Sequence, residues 1–326
     1  MDWGAILGNT AGTLFSPITF AFALAALGLA LHFGFAGLLN FGIAGYMAIG
    51  SYGYAISILT FGLPWWAGVI VSLAASVVFS LILGIPTLRL RGDYLAIVTI
   101  ASAEVLRLMF LTNAYSDVTG SADGLYGYQS SFKDSNPFPE GQYGFGPWTY
   151  NQDDLYVIVV SLVTLIVCVF LLAGLMKSPW GRVIKGIRED EDAVRALGKN
   201  VFAYKMQALI IGGTFGTLGG VLYVLPSSVS PGSYGTALTF FIWTALLLGG
   251  AATIFGPVLG SVLFWILQAF LSNLLPQLVD NGFLPFMSGT QASTARFILV
   301  GIGLMFLVIY RPQGILGDKK ELTFVK

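Results

Sequence analysis

The chain is poor in charge. Of its 326 residues only 10% are Asp, Glu, Lys or Arg, where soluble domains carry about 25%. So few charges argue against a freely soluble fold of this size. The two signs balance at 16 each, which removes the basic surface that nucleic acid would need. A single cysteine, Cys168, cannot form an internal disulfide and sits in an apolar run as a membrane-helix residue would. The one histidine, His32, ends an apolar run and reads as a satisfied or interfacial residue rather than a proton relay. No residues cluster at metal-ligand spacing, and no nucleophile is paired with a base. No catalytic residue, metal or cofactor is therefore expected. The chain also has no G-x-x-x-x-G-K-[ST] run, so it cannot hydrolyse ATP through a phosphate loop. Its first residues, MDWGAILGNT, lack the Lys or Arg of a secretory leader.

Apolar and small residues fill the space that charge leaves. Hydrophobic residues make up 56% of the chain, glycines number 41, and the mean hydropathy is +0.80. Glycine at this level suits membrane helices, whose backbones approach closely where side chains are small. A helix needs about 20 mostly apolar residues to cross a bilayer core. Spans are predicted over Pro17 to His32, Leu38 to Thr60, Trp65 to Pro86, Tyr94 to Thr112, Leu155 to Met176, Phe202 to Leu225 and Phe297 to Tyr310. Leu238 to Leu275 is too long for one span, and its run of Gly249, Gly250, Gly256, Pro257 and Gly260 predicts two segments meeting at a break. The fold class expected is all-α, a polytopic bundle of about nine spans forming one transmembrane domain over residues 1–326.

Charge position orients the bundle, because basic residues near span ends stay in the cytoplasm. Arg89 and Arg91 lie between the third and fourth spans. Lys177, Arg182, Lys185, Arg188, Arg195, Lys199 and Lys205 lie between the fifth span and the start of the sixth. Arg311, Lys319, Lys320 and Lys326 follow the last. The segment Asn113 to Asp154 holds one basic residue, Lys133, against six acidic ones. It is expected outside, as a lid or docking surface packed on the helix ends. Nine crossings then place the N-terminus outside and the C-terminus inside. A re-entrant pair over Leu238 to Leu275 would keep the same parity.

The inner segment 177–201 reads KSPWGRVIKGIREDEDAVRALGKNV in its body. Asp190 to Gly198 is predicted as a short helix, with Glu191–Arg195 and Arg188–Asp192 as side-chain pairs four apart. Ile187, Val194 and Leu197 fall near one face. Such a helix suits a groove on a partner protein, although a plain solvated connection would also satisfy the charge rule. The second span carries Gly34, Gly37, Gly42, Gly45, Gly50 and Gly53 with Asn40, Ser51, Tyr52 and Tyr54 among them. Such a span either lines a polar pathway, where irregular backbone is tolerated, or packs tightly. The break at Gly249 and Gly250 has the same two readings. On the fourth span Glu104 and Arg107 lie three apart and can pair, as a structural ion pair or as a gate.

Four stretches resemble one family. GRVIKGIREDEDAVRALGKNV is similar to the cytoplasmic coupling segment of the permease subunits of ABC-type branched-chain amino acid importers. GLLNFGIAGYMAIGSYGYA resembles their glycine-rich second span, LRLRGDYLAIVT the start of their fourth, and LLLGGAATIFGPVLGSVLF with YRPQGILG their C-terminal third. The outer loop does not follow the pattern. The resemblance implies a division of labour. Cytosolic ATPase subunits would dock on Ile187, Arg188, Glu189, Asp190, Ala193, Val194, Ala196, Leu197 and Gly198. A second homologous permease would complete the pathway, and an extracytoplasmic binding protein would deliver solute to this chain in a prokaryotic plasma membrane. Asn40, Ser51, Tyr52, Thr99, Glu104, Gly249 and Gly250 are candidates to line the pathway. The solute expected is a branched-chain or related amino acid, with urea or short amides as the alternative within the family. A gradient-driven transporter and an intramembrane enzyme are the competing classes. The first would need more midplane carboxylates than Glu104, and the second lacks a catalytic constellation.

Overall fold

In lipid a helix satisfies its own backbone, so apolar runs become helices. The computed structural model describes residues 2–89, 92–282, 287–311 and 313–317. Arg91, Lys319, Lys320 and Lys326, used above for orientation, lie outside the described residues. A short helix α1 (Trp3–Gly12) starts at an Asp2 cap, whose carboxylate accepts from the Ala5 amide at 3.0 Å. It leads into α2 (Pro17–Leu29), opened by Pro17 and continued by a π turn over Ala30–Phe35. Then follow α3 (Ile43–Leu59), α4 (Trp65–Thr87) and α5 (Gly92–Leu111). The outer loop carries two single-turn helices, α6 (Ser116–Thr119) and α7 (Ser130–Lys133). It ends in an antiparallel hairpin of β1 (Gln142–Phe145) and β2 (Trp148–Asn151). Asn151 caps α8 (Gln152–Lys177), and α9 (Pro179–Glu189) and α10 (Glu191–Ala196) make up the charged loop. Four more helices close the chain: α11 (Val201–Val224), α12 (Thr236–Gly249), α13 (Gly256–Asp280) and α14 (Gly289–Tyr310).

The centre of the bundle is α2, of which 89% is buried, against 17% for α5. Backbone proximity explains the glycines. A Cβ at Gly28, Gly50 or Gly220 would meet the carbonyl oxygen of Gly212, Thr217 or Met47 at 2.2, 2.1 or 2.1 Å. Those contacts lock α11 against α2 and α3 and allow dispersion contacts that a larger residue would block.

The loops sort into two ends. At the outer-loop end, Trp148 donates to the Ala11 carbonyl at 2.9 Å, and Trp65 N–H donates to Ser131 Oγ at 3.2 Å. Tyr128 donates to the carbonyls of Val224 and Ser227 at 2.9 and 2.7 Å, and Asp2 N–H reaches Gln277 Oε1 at 2.9 Å. At the charged-loop end, Arg188 reaches the π turn, Arg89 lies over Phe202, and the segment Gly314–Gly317 meets the end of α12. Nine apolar helices among the described residues (α2 to α5, α8 and α11 to α14) run between these ends. Six of them are long and apolar enough to cross a bilayer, while α3 and α12 are apolar but shorter. The multi-pass helical membrane fold expected from the sequence stands. The Leu238 to Leu275 run divides at residues 250–255, and α12 connects the two ends rather than turning back within one. The last helix begins at Gly289 rather than Phe297, which brings Arg296 inside it.

Candidate functional site

The charged-loop end is built by capping chemistry. Ser178 Oγ accepts from the Gly181 amide, and Pro179 supplies a first helical residue with no donor to satisfy. A Cβ at Gly181 would sit 2.5 Å from the Met176 carbonyl oxygen, so only glycine lets α9 turn this sharply off α8. The apolar face of α9 buries Ile184 and Ile187. Asp190 then takes an extended backbone, and its Oδ1 accepts from the amides of Asp192 and Ala193, both at 3.0 Å. It ends α9 and caps α10. At the far end Gly198 has φ +75°, its amide donates to Arg195 O, and the Lys199 amide donates to Val194 O. These two bonds close a Schellman turn.

The short helix predicted over Asp190 to Gly198 forms as α10, capped by Asp190. Two expectations are corrected here. Leu197 does not share a face with Ile187 and Val194, which are buried. The Schellman turn swings it outward, and it is 78% exposed. Arg188 does not pair with Asp192, since the break at Asp190 removes the helical spacing. It pairs with Glu189 at 2.5 Å and donates to the Gly34 carbonyl at 2.5 Å. The Glu191–Arg195 pair forms as predicted at 2.9 Å, with Asp192 also on Arg195 and Lys205 also on Glu191. The outcome is an apolar patch of Ala193, Ala196 and Leu197 on a charged surface.

Beneath it lies the π turn. A Cβ on Gly34 would meet the Ala251 carbonyl oxygen at 1.8 Å, so the turn rests directly on the break after α12. His32 Nε2 lies 3.1 Å from the Leu209 carbonyl and Nδ1 lies 3.0 Å from Asn40 Nδ2. A carbonyl only accepts and an amide nitrogen only donates, which fixes a neutral ring protonated at Nε2. Asn40 Oδ1 accepts from Gly42 N–H, the Asn40 carbonyl accepts from Trp243 Nε1, and Thr99 Oγ1 accepts from Phe41 N–H. Helices α5 and α12, with the Asn40 side chain, thus satisfy the irregular backbone between α2 and α3. The carbonyls of Leu248 and Gly249, orphaned where α12 ends, accept from the amides of Ile315 and Leu316.

The pathway candidates fall into two groups. Asn40, Thr99, Gly249 and Gly250 lie toward the charged-loop end, and Ser51, Tyr52 and Glu104 toward the other. Ser51 is fully buried and bonds the carbonyls of Met47 and Gly220, each at 2.8 Å. Tyr52 stacks on Phe110 with centroids 4.0 Å apart, and its hydroxyl has no hydrogen-bond partner among the described residues. Glu104 and Arg107 form a two-pronged pair on α5, with both Glu104 oxygens 3.0 Å from Arg107 Nε. Glu104 remains 38% exposed and Arg107 23%. No cluster of His, Cys, Asp or Glu among the described residues could hold a metal. Sequence reasoning missed Arg296, because the polar GTQAST run before it concealed the start of α14.

The chain matches a family model described as branched-chain amino acid transport system / permease component over residues 14–309. It is 30% identical over 312 residues to the high-affinity branched-chain amino acid transport system permease protein LivM of Salmonella typhimurium. The match covers 92% of this chain and 69% of that one. The LivM protein of Escherichia coli matches to the same extent. A nucleoside ABC transporter permease protein of Lactococcus lactis is 24% identical over 201 residues, 61% of each chain.

Proposed function

The chain belongs to the family of branched-chain amino acid transport system permease components, and on that premise we propose that it is one membrane-spanning half of an ATP-driven importer for branched-chain or related hydrophobic amino acids. The observation that carries the proposal is the apolar patch of Ala193, Ala196 and Leu197 on α10, held in a rim of ion pairs. A leucine 78% exposed in a ring of charge is shaped to enter a pocket on another protein. That partner is a cytosolic ATPase, and it supplies the energy that a chain without a phosphate loop cannot. Ile187, Arg188, Glu189, Asp190, Val194 and Gly198 shape the docking segment from behind.

The charged-loop end faces the cytoplasm, so the N-terminus lies outside and the C-terminus inside, in a prokaryotic plasma membrane. The segment 113–154 lies outside, where a solute-binding protein docks. A second homologous permease covers α5. A span that is only 17% buried and carries a half-exposed ion pair is costly against lipid but favourable against a pathway or a partner. Glu104 and Arg107 present opposite charges side by side, as a zwitterionic amino acid does. Urea or an amide would not need such a pair. The gradient-driven reading loses ground for the same reason, since Arg107 already neutralises Glu104.

The test is uptake of radiolabelled leucine into proteoliposomes holding this chain, its second permease, the ATPases and the binding protein. Leu197→Glu should insert normally and lose both ATPase association and uptake. Uptake by the chain alone, or uptake that an uncoupler abolishes while ATP is present, would overturn the proposal.

A further inference from the structure

An arginine in a membrane helix needs an anion, and the partly buried Arg296 has none among the described residues. Its Nη1 donates to Ser272 Oγ at 2.5 Å, and its guanidinium lies 4.8 Å from the centroid of the Phe297 ring. Its Nε is buried with no acceptor among the described residues, and so is Nε1 of Trp265. Both residues line a cavity of about 320 Å3 between α1, α12, α13 and α14. Gln268 lines it too, only 4% exposed and with its amide group unbonded among the described residues. Asn9 and Asn273 complete the polar wall and bond each other at 3.2 Å. Unpaired donors on residues that line one cavity cost stability unless a ligand takes them.

We propose that this cavity binds the phosphodiester headgroup of a membrane phospholipid, with Arg296, Trp265 and Gln268 as its donors. Depth favours that ligand. Arg296 is fourteen residues from Tyr310 at the charged-loop end of α14, a rise of roughly 21 Å. In a core of about 30 Å this leaves the guanidinium within reach of the headgroups at the outer-loop end. Size agrees as well. The volume lies at the lower limit of ligand pockets, about 300 to 1,000 Å3, which admits a headgroup and excludes its acyl chains. Those chains would lie outside the cavity, against the exposed ring of Phe297 that lines it. The bond between Asn9 and Asn273 ties α1 to α13, so a headgroup here would fix the N-terminal helix to the bundle.

The probes are short-chain phosphatidylglycerol, octanoate and leucine, added to the purified chain in detergent while its thermal unfolding is followed. Native mass spectrometry of the membrane-extracted protein gives a second readout. Wild type should be stabilised by the phospholipid and should retain one lipid per chain. Arg296→Gln should lower the apparent affinity by roughly tenfold or more, the scale of one lost charge-assisted hydrogen bond. Gln268→Leu breaks no bond within the protein and should weaken binding severalfold while remaining folded, which covers the case in which the arginine variant misfolds. Stabilisation by octanoate or leucine but not by the phospholipid would overturn the proposal in favour of a free carboxylate site. Equal phospholipid binding by wild type and Gln268→Leu would also overturn it.

Discussion

Arg188 donates to the carbonyl oxygen of Gly34 at 2.5 Å, with its side chain only 6% exposed. The bond joins α9, on the surface, to the π turn of the most buried helix. Gly34 in turn rests on Ala251, in the break between α12 and α13. A push on the charged loop therefore meets a short chain of contacts leading to two helices. A π turn is a suitable place for such a joint, since it interrupts the regular helical ladder.

Arg188→Ala should leave insertion and ATPase association intact and cut leucine uptake by roughly tenfold or more, the scale of a lost hydrogen bond to a charged group. ATP hydrolysis should continue, uncoupled from transport. Arg188→Lys keeps the charge but not the fork and should recover part of the uptake. The ratio of solute moved to ATP hydrolysed in proteoliposomes is the measurement.

Close backbone contacts predict a steep difference among glycines. Gly34→Ala and Gly249→Ala would place a methyl group 1.8 and 1.7 Å from a carbonyl oxygen. Each should destabilise the protein by about 1–3 kcal/mol, as overpacking does. Gly174→Ala meets nothing within 4 Å on α8 and should be neutral or slightly stabilising. Thermal unfolding of the three variants in detergent gives the comparison.

The pair on α5 separates a structural role from a solute-reading one. Glu104→Gln or Arg107→Gln alone should lower uptake, because each leaves a lone charge on a sparsely buried span. The exchange Glu104→Arg with Arg107→Glu restores neutrality and should restore folding. If the pair aligns a zwitterion, the exchange should not restore leucine uptake. Expression level and uptake, measured together, tell the two roles apart.

Tyr128 clasps the outer loop to the end of α11 through two carbonyls. Burial raises the pKa of its hydroxyl, with the nearby Tyr54 and Tyr52 adding to the shift. Raised folded-state pKa means the neutral form is favoured on folding. This contribution is complete below the ordinary tyrosine value of about 10 and is lost as pH rises beyond it. Tyr128→Phe should cost about 1 kcal/mol at neutral pH, and it should remove part of the loss of stability seen above pH ~10. Unfolding temperatures from neutral to alkaline pH check both.

Much of the fold was legible because lipid imposes one rule on every span: about 20 apolar residues and a satisfied backbone. The predicted break at Gly249 and Gly250 matches the end of α12 for that reason. Local chemistry was harder to read. Charge spacing pairs Arg188 with Asp192, whereas the Asp190 carboxylate between them caps two free amides and separates α9 from α10. Periodicity puts Leu197 near one face with Ile187 and Val194, and it cannot register the left-handed turn at Gly198. Arg296 was hidden by a polar run that belongs to its helix, and nothing local distinguishes that run from a loop. The Arg188–Gly34 bond joins residues on separate elements, so no spacing rule could have found it.

The central claim is that α10 faces the cytoplasm and receives the ATPase. Cys168 is buried and is the only cysteine, so Cys168→Ala provides a clean background for Ala193→Cys. Membrane-impermeant thiol labelling is then compared in inside-out and right-side-out vesicles, with and without the ATPase. The account predicts labelling only in inside-out vesicles, and its suppression when the ATPase binds. Labelling in right-side-out vesicles, or labelling that the ATPase does not protect, would contradict it.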